Sequence, residues 1–542
     1  MHVTFYTIAV VVIFLSINVF LGWLGYRQTK TAQDFLLAGR GTHPVIMALS
    51  YGSTFISTSA IVGFGGLAAN MGLGLLWLTF LNILVGIFIA FVFFGKRTRR
   101  MGHALDAHTF PEFLAKRFEA PFIQGFIGLL IFAGMPLYAA SVIKGGANFV
   151  QSYFGIPYNL SLLFFVAIVA VYVWMGGMKG VMYTDAFQGG IMFVSMVALL
   201  VTAYVLLGGV GEAHRALTAL FGEAAVQADI AKSVKGGFQG WTAMPATGSP
   251  MWWSLVSTIV MGVGIGVLTQ PQLVVRYMTV KSNRELNRAV LSGGNFIFAM
   301  TGVAFVVGAL SNVIFFRKTG KIALAASNGV SDLIIPGFIR EFVPEWFGAI
   351  FLICMLAAAM STLSSQFHAM GTAAGRDLLE KSLGKKGNTI LITRFGMLVA
   401  ILVSTLIAWA TTGLPAAEGV IAKFTTVFFE MTTATFLPAY VGALYVRNMP
   451  RRAAVGGMIA GFAAWFVWAF FIHGNASYFL LCKLFFGVDS LVAGTGAAWM
   501  SRIGTTFVAL PVSVLVTLIL SLAARGQTGI GEAHLEKCFE GI

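Results

Sequence analysis

An all-α integral membrane protein is the fold class this chain predicts, on three observations. Of its 542 residues, 58% are hydrophobic and only 10% charged, against about 25% charge in soluble domains, and the mean hydropathy is +0.86. The apolar residues gather in runs of about 20, the length that crosses a bilayer as a helix. Basic residues cluster in alternate connections: Lys96, Arg97, Arg99 and Arg100, then Arg276, Lys281, Arg284 and Arg288, then Arg447, Arg451 and Arg452. That bias marks the cytoplasmic face and predicts an outside N-terminus and inside C-terminus. The net charge of +15 is thereby placed beside anionic lipid, and no nucleic-acid partner is implied.

Thirteen spans are predicted, at 5–25, 46–69, 73–94, 122–145, 157–175, 185–208, 252–270, 289–313, 347–372, 390–411, 418–445, 454–473 and 503–523. The first has no basic segment before it and is followed by Arg27, so it reads as a helix and not as a cleaved signal. The second, SYGSTFISTSAIVGFGG, alternates hydroxyls with apolar residues before a glycine run. Five spans later comes MGVGIGVLTQPQLVVRYM, with Gly262, Gly264, Gly266 and Pro271. Interrupted helices at matching places in two halves mark a transporter built as an inverted repeat. The expected division is an extra N-terminal helix and loop at 1–45, a first five-helix repeat at 46–208 and an extracellular loop at 209–251. A second repeat follows at 252–445, and two helices with a short cytoplasmic tail from Arg525 fill 446–542.

Other functions lack support. Cys354, Cys482 and Cys538 are too few and scattered for a metal cluster or disulfide framework. No nucleotide-binding, metalloprotease or serine-hydrolase motif occurs, and the loops near 209–251 and 314–346 are too short for an enzyme domain. No kinase follows the last span, which argues against a sensor; a sodium-independent uniporter or channel is the remaining alternative to coupled transport.

The ninth span carries Ser361, Thr362, Ser364 and Ser365 within AAAMSTLSSQ. At about 100° per residue these share one broad helix face with Ala358. Isolated hydroxyls commonly bond back to their own helix, but four together suggest an oxygen cage for a small hard cation, completed by carbonyls of an unwound neighbour. Asp185, in GGMKGVMYTDAFQGG, is a candidate carboxylate for a second cage, the alternative being an interfacial helix cap. His368, one turn further along, reads as a packed or proton-sharing core residue.

These stretches, AAAMSTLSSQ, GGMKGVMYTDAFQ, QPQLVVRYM and SYGSTFISTSAIVGFGG, resemble the solute:sodium symporter family of proline, pantothenate, sialic-acid and sugar carriers over almost the whole chain. The resemblance implies a leucine-transporter-like 5+5 inverted repeat and symport driven by Na+. It also implies a common sodium site of Ser53, Ile56 and Ala358 carbonyls with Ser361 and Thr362 hydroxyls. A second site, present in some members, would use Asp185, Ser361, Ser364 and Ser365. Each charge carried inward through 100 mV releases about 2.3 kcal/mol, so a second ion doubles the gradient available.

For the solute, the resemblance points to the broken helices and spans 3, 4 and 11. Phe55, Ser59, Ala60, Thr79 and Asn82 stand where a sugar carrier places its contacts, and they lack the long amide and carboxylate groups suited to a sugar. Ser57, Ser59, Thr79, Asn82, Lys144, Gly264 and Glu430 are the candidate solute contacts. Lys144 suits a carboxylate and Glu430 an ammonium; the alternatives are that they pair with each other or extend to the interface. The expected partner is a small organic solute, carboxylate-bearing, beside Na+ and membrane lipid. The oligomeric state is open.

Overall fold

Helices account for the architecture, and the two glycine- and hydroxyl-rich segments interrupt them. The computed structural model describes residues 5–541 apart from 176, 383, 385–388, 412–418, 475–480 and 525, so Arg525 lies outside the described residues. Among the described residues there are no strands, only an isolated bridge between Thr42 and Val280.

The first half comprises α1 (Phe5–Gln28), α2 (Pro44–Phe55), α3 (59–71), α4 (76–104), α5 (Phe110–Arg117), α6 (Pro121–Phe154), α7 (Tyr158–Met175) and α8 (Met178–Leu207). The second comprises α9 (Pro250–Thr269), α10 (Pro271–Tyr277), α11 (Asn283–Thr319), α12 (Ile334–Phe342), α13 (Glu345–Ser382), α14 (Thr389–Ala410), α15 (Val420–Tyr445), α16 (Arg451–Ile472) and α17 (Thr506–Ala523). Eleven helices among the described residues are long and apolar enough to cross a membrane. Residues 59–104 count as one of these although Gly72, at φ 75°, ψ −164°, ends α3 and turns the chain before α4. The predicted second and third spans meet at that turn.

Position follows from what each helix has to hide. The most apolar stretches of α11, α13 and α15 are 83%, 89% and 83% buried, whereas those of α1 and α17 are each only 22% buried, leaving their oily side chains to lipid. Small residues permit the closest contacts. A methyl group at Gly308 of α11 would overlap the Gly65 carbonyl of α3, and one at Gly461 of α16 would overlap the Ala434 carbonyl of α15. In the loop beyond α8, buried Trp241 donates its indole N–H to the Ala69 carbonyl at 2.7 Å, and its own carbonyl receives the Leu73 N–H at 2.7 Å. The loop thus closes the turn at Gly72.

Two arginines are not the solvated loop charges their sequence neighbourhoods suggest. Arg117 of α5 is buried and donates to the carbonyls of Ala443, Val446 and Arg447 at 3.0–3.1 Å, capping the C-terminus of α15. Arg276, expected among the cytoplasmic basic residues, is fully buried on α10.

Gly308→Ala is expected to lower the melting temperature of the purified protein, costing about 1–3 kcal/mol by overpacking α11 against α3; an unchanged transition would show that this contact relaxes freely.

Candidate ion and solute site

The site begins with a break in the backbone. α2 ends at Phe55, and Ile56 turns to φ −91°, ψ 107°, before helix resumes at Ser59. A helix that ends inside a protein leaves its last carbonyls without intrahelical donors. Here the hydroxyls of α13 fill that role: Ser361 Oγ donates to the Ser53 carbonyl at 2.8 Å, and Thr362 Oγ1 to the Thr54 carbonyl at 3.0 Å. Ser361 Oγ also lies 2.8 Å from the Ala357 carbonyl and 3.3 Å from that of Ala358. Ser53, Ile56, Ala358, Ser361 and Thr362 are all buried where the broken helix meets α13.

The second break repeats the first. α9 ends at Thr269, Gln270 adopts φ −69°, ψ 115°, and Pro271 opens α10; its fixed φ and missing N–H suit a first helical position. The restart carries Arg276 inward. Arg276 Nη2 lies 2.8 Å from Asp185 Oδ2, and both side chains are 0% exposed. The same nitrogen donates to Thr54 Oγ1 and Ser365 Oγ, each at 2.6 Å, while Nε donates to Ser50 Oγ at 3.0 Å. Nη1 donates to the Gln272 carbonyl. Asp185 also receives Ser50 Oγ at 2.9 Å, Thr54 Oγ1 at 3.2 Å and Ser364 Oγ at 3.4 Å.

Asp185 is therefore no interfacial cap: α8 begins at Met178, and Asp185 lies in its second turn, in the core. The four expected second-site residues do come together, with the Ser361 carbonyl accepting Ser364 Oγ at 3.1 Å. Sequence reasoning missed Arg276, Ser50 and Thr54 as members of this cluster. The available signal was the spacing in PQLVVRY, which sets Arg276 one turn beyond Gln272 on a short, otherwise apolar helix.

Around the first break lies a second group of hydroxyls. Ser57 Oγ and Ser59 Oγ are 2.7 Å apart, Thr425 Oγ1 donates to Ser59 Oγ at 3.1 Å, and Ser141 Oγ is 2.9 Å from Thr425 Oγ1. Thr58 Oγ1 donates to the Val142 carbonyl at 2.6 Å, tying the interruption to α6. Ser141 and Thr425 were not singled out in the sequence. Thr79 and Asn82 of α4 are buried, and Thr79 Oγ1 and Asn82 Oδ1 have no hydrogen-bond partner among the described residues.

Three other expected contacts are engaged elsewhere. Gly264 packs on Leu81, where an added Cβ would come within 2.8 Å of that side chain, so its missing side chain serves helix contact. Lys144 Nζ donates to Thr411 Oγ1 at 3.2 Å and sits 5.6 Å from the Tyr158 ring centre. Its electrostatic partner is Asp332, just before α12; burial raises the Asp332 carboxyl to about 6, and the charge of Lys144 opposes that rise. Glu430 is buried against Gly262, with Oε1 3.2 Å from where a Gly262 Cβ would sit. Lys144 and Glu430 are thus not each other's partners.

Two cavities are lined in part by these helices. One of about 460 Å³, lined by Asp229, Lys232, Thr258, Lys423, Glu430 and His473, lies under the loop that follows α8. The other, of about 30 Å³, lies beyond Ser365 and is lined by Gln272, His368, Asp377 and His108. His368 is buried, its ring 5.3 Å from that of Phe35. The end of the molecule beside this small cavity is held by Glu112, which bonds Arg376 through both carboxylate oxygens at 3.0 Å and Lys116 at 3.0 Å.

An all-helical membrane fold with two interrupted helices facing a hydroxyl-lined helix defines a secondary transporter of the leucine-transporter fold. Residues 35–461 match the sodium:solute symporter family, and the chain belongs to that family. It is 27% identical over 512 residues to sodium/proline symporter 2 of Staphylococcus saprophyticus, covering 91% of each chain. It is also 27% identical over 553 residues to the sodium/proline symporter of Staphylococcus aureus strain NCTC 8325, covering 98% of this chain and 95% of that one. In structure it superimposes on a Na+-coupled sialic acid symporter with a TM-score of 0.72 at 17% identity, covering 96% and 97%. A nucleobase-cation-symport-1 family transporter superimposes with a TM-score of 0.50 at 13% identity, covering 94% and 99%.

Burial alone would raise the Glu112 carboxyl, but the hydrogen bonds and charge of Arg376, with Lys116, outweigh it and hold the group down at about 2. A depressed acid stabilises the fold fully above its ordinary value near 4.5 and loses that contribution as pH falls toward 2. Glu112→Gln is expected to lower the melting temperature at neutral pH, with the deficit relative to wild type shrinking below about pH 4.5; a deficit constant with pH would sink the assignment.

Proposed function

We propose that the protein imports a small carboxylate-bearing solute, an amino acid or a monocarboxylate including a pantothenate-like one, by Na+-coupled alternating access across a bacterial inner membrane. The proposed arrangement has thirteen crossings, N-terminus outside, with the repeats at 46–208 and 252–445 flanked by 1–45 and 446–542. The observation that carries the reading is the interruption at Ile56–Ser57. It sets freed carbonyls against Ser361 and Thr362 on one side and a restarted helix N-terminus, edged by Ser57 and Ser59, on the other. The first end attracts a cation and the second an anionic group.

Sodium at Ser53, Ile56, Ala358, Ser361 and Thr362 takes up the lone pairs of hydroxyls that otherwise donate to carbonyls. It thereby ties α2 to α13 through an ion and fixes the geometry of the break. The solute carboxylate then meets a preorganised helix end, while Thr79, Asn82, Ser141 and Thr425 meet its remaining polar groups. Linkage requires the converse as well, so solute tightens sodium by the factor by which sodium tightens solute. The 27% identity with sodium/proline symporters favours a compact amino acid among the candidates.

The test is uptake of labelled proline, other amino acids and small monocarboxylates into proteoliposomes under inward Na+ or K+ gradients. Accumulation is expected with Na+ alone. Ser361→Ala with Thr362→Ala is expected to raise the half-saturating sodium concentration at least tenfold. Asn82→Leu is expected to raise the solute KM while leaving sodium activation unchanged. Equal uptake in K+ would overturn the coupling.

A further inference from the structure

We propose that the guanidinium of Arg276 is itself the resident cation of the pocket around Asp185, and that a second sodium ion is held there only when this side chain withdraws. The proposal rests on the sodium-transport reading and specifies how one of its two sites is used.

The argument starts from lone pairs. Arg276 Nη2 contacts Asp185 Oδ2 at 2.8 Å and the hydroxyls of Thr54 and Ser365 at 2.6 Å each. Every one of these oxygens accepts from the arginine, so the electron pairs a sodium ion would coordinate are already directed at a positive group. A bare alkali ion needs about six such oxygens, and those left outside the arginine's reach, Asp185 Oδ1, Ser364 Oγ and the Ser361 carbonyl, fall short of that. Charge balance gives the same answer. Asp185 contributes one negative charge and Arg276 one positive, both fully buried, so the pair is neutral as it stands. Adding sodium beside it would place an uncompensated positive charge in a low-dielectric core, which is strongly unfavourable. Replacing arginine with sodium keeps the balance at zero. The two cations are therefore alternatives.

The exchange has a mechanical consequence because of where the arginine is anchored. Arg276 sits on α10, the short helix that restarts after the break at Gln270. Its guanidinium joins α10 to α2 through Ser50 and Thr54, to α8 through Asp185 and to α13 through Ser365. Withdrawal releases all three connections at once. A sodium ion bound at Asp185 can still bridge α2, α8 and α13, but it leaves α10 without its arginine tie, held to α2 through the Tyr277–Tyr51 hydroxyl contact at 3.3 Å. Occupancy of this pocket thus reports whether α10 is joined to the bundle through its arginine, and the arginine sets the sodium stoichiometry of the joined form at one.

The experiment counts ions. Purified wild type, Arg276→Gln, Arg276→Ala and Asp185→Asn, all kept in sodium during purification, are titrated with labelled sodium in an equilibrium binding assay, and melting temperature is followed against sodium concentration. Wild type is expected to bind one ion per chain. Arg276→Gln and Arg276→Ala are expected to bind two, with a melting temperature that depends more steeply on sodium because Asp185 now relies on it. In Arg276→Ala, millimolar guanidinium ion should displace one of the two sodium ions. Asp185→Asn, which removes the carboxylate of the second pocket, should bind no more than one, and two ions there would overturn the proposal. Two ions in wild type, or one ion in both arginine variants, would overturn the proposal. No sodium bound by wild type would instead overturn the transport reading on which it rests.

Discussion

The constraint on which the structure depends is that no backbone hydrogen-bonding group can be left unmet inside a bilayer. An interrupted helix violates this locally, and the violation has to be answered by nearby side chains. At Ser53 and Thr54 the answer comes from Ser361 and Thr362, which is why the hydroxyl cluster on α13 exists and why α13 is the most deeply buried span. The same free carbonyls that would be a defect in a soluble protein become, once paired with hydroxyls, a set of neutral oxygens, and these are the ones to which the proposed function assigns the cation. Function here grows out of a repair.

Charge enters at the next level. Asp185 and Arg276 are both buried, and neither would be tolerable alone at that depth. As a pair they are surrounded by Ser50, Thr54, Ser364 and Ser365, so the ionic cluster is satisfied by the same kind of hydroxyl that satisfies the broken helix. Thr54 belongs to both arrangements: its carbonyl accepts Thr362 Oγ1 while its own hydroxyl contacts Asp185 and Arg276. A change at one cluster is felt at the other through a single residue.

Much of this was legible in the sequence because polarity inside an oily run is conspicuous. Ser361, Thr362, Ser364 and Ser365 stood out for that reason, as did Asp185 and the glycine-rich run that includes Gly264. Arg276 did not, because in linear order it adjoins Lys281, Arg284 and Arg288 and looks like one more loop charge; only the restart at Pro271 turns it inward. Ser141 and Thr425 were hidden for a related reason. Each sits on a long helix without a sequence feature that marks it, and its partner lies 284 positions away in the chain. Lys144 and Glu430 were noticed as ionisable residues, yet their partners could not be read, since Asp332 reaches Lys144 from a loop and Glu430 is placed by its contact with Gly262. Composition identifies which residues are exceptional; only folding decides what each one faces.

The two cavities differ in size by more than an order of magnitude, about 460 Å³ under the loop after α8 and about 30 Å³ beyond Ser365. A space of the smaller size admits roughly a single water molecule, whereas the larger accommodates a whole amino acid with part of its hydration. A bulky blocker seated in the larger cavity would fit beneath the loop after α8, and the same bulk would be excluded from the space beyond Ser365. The molecule is chemically lopsided in a way its repeated architecture does not suggest.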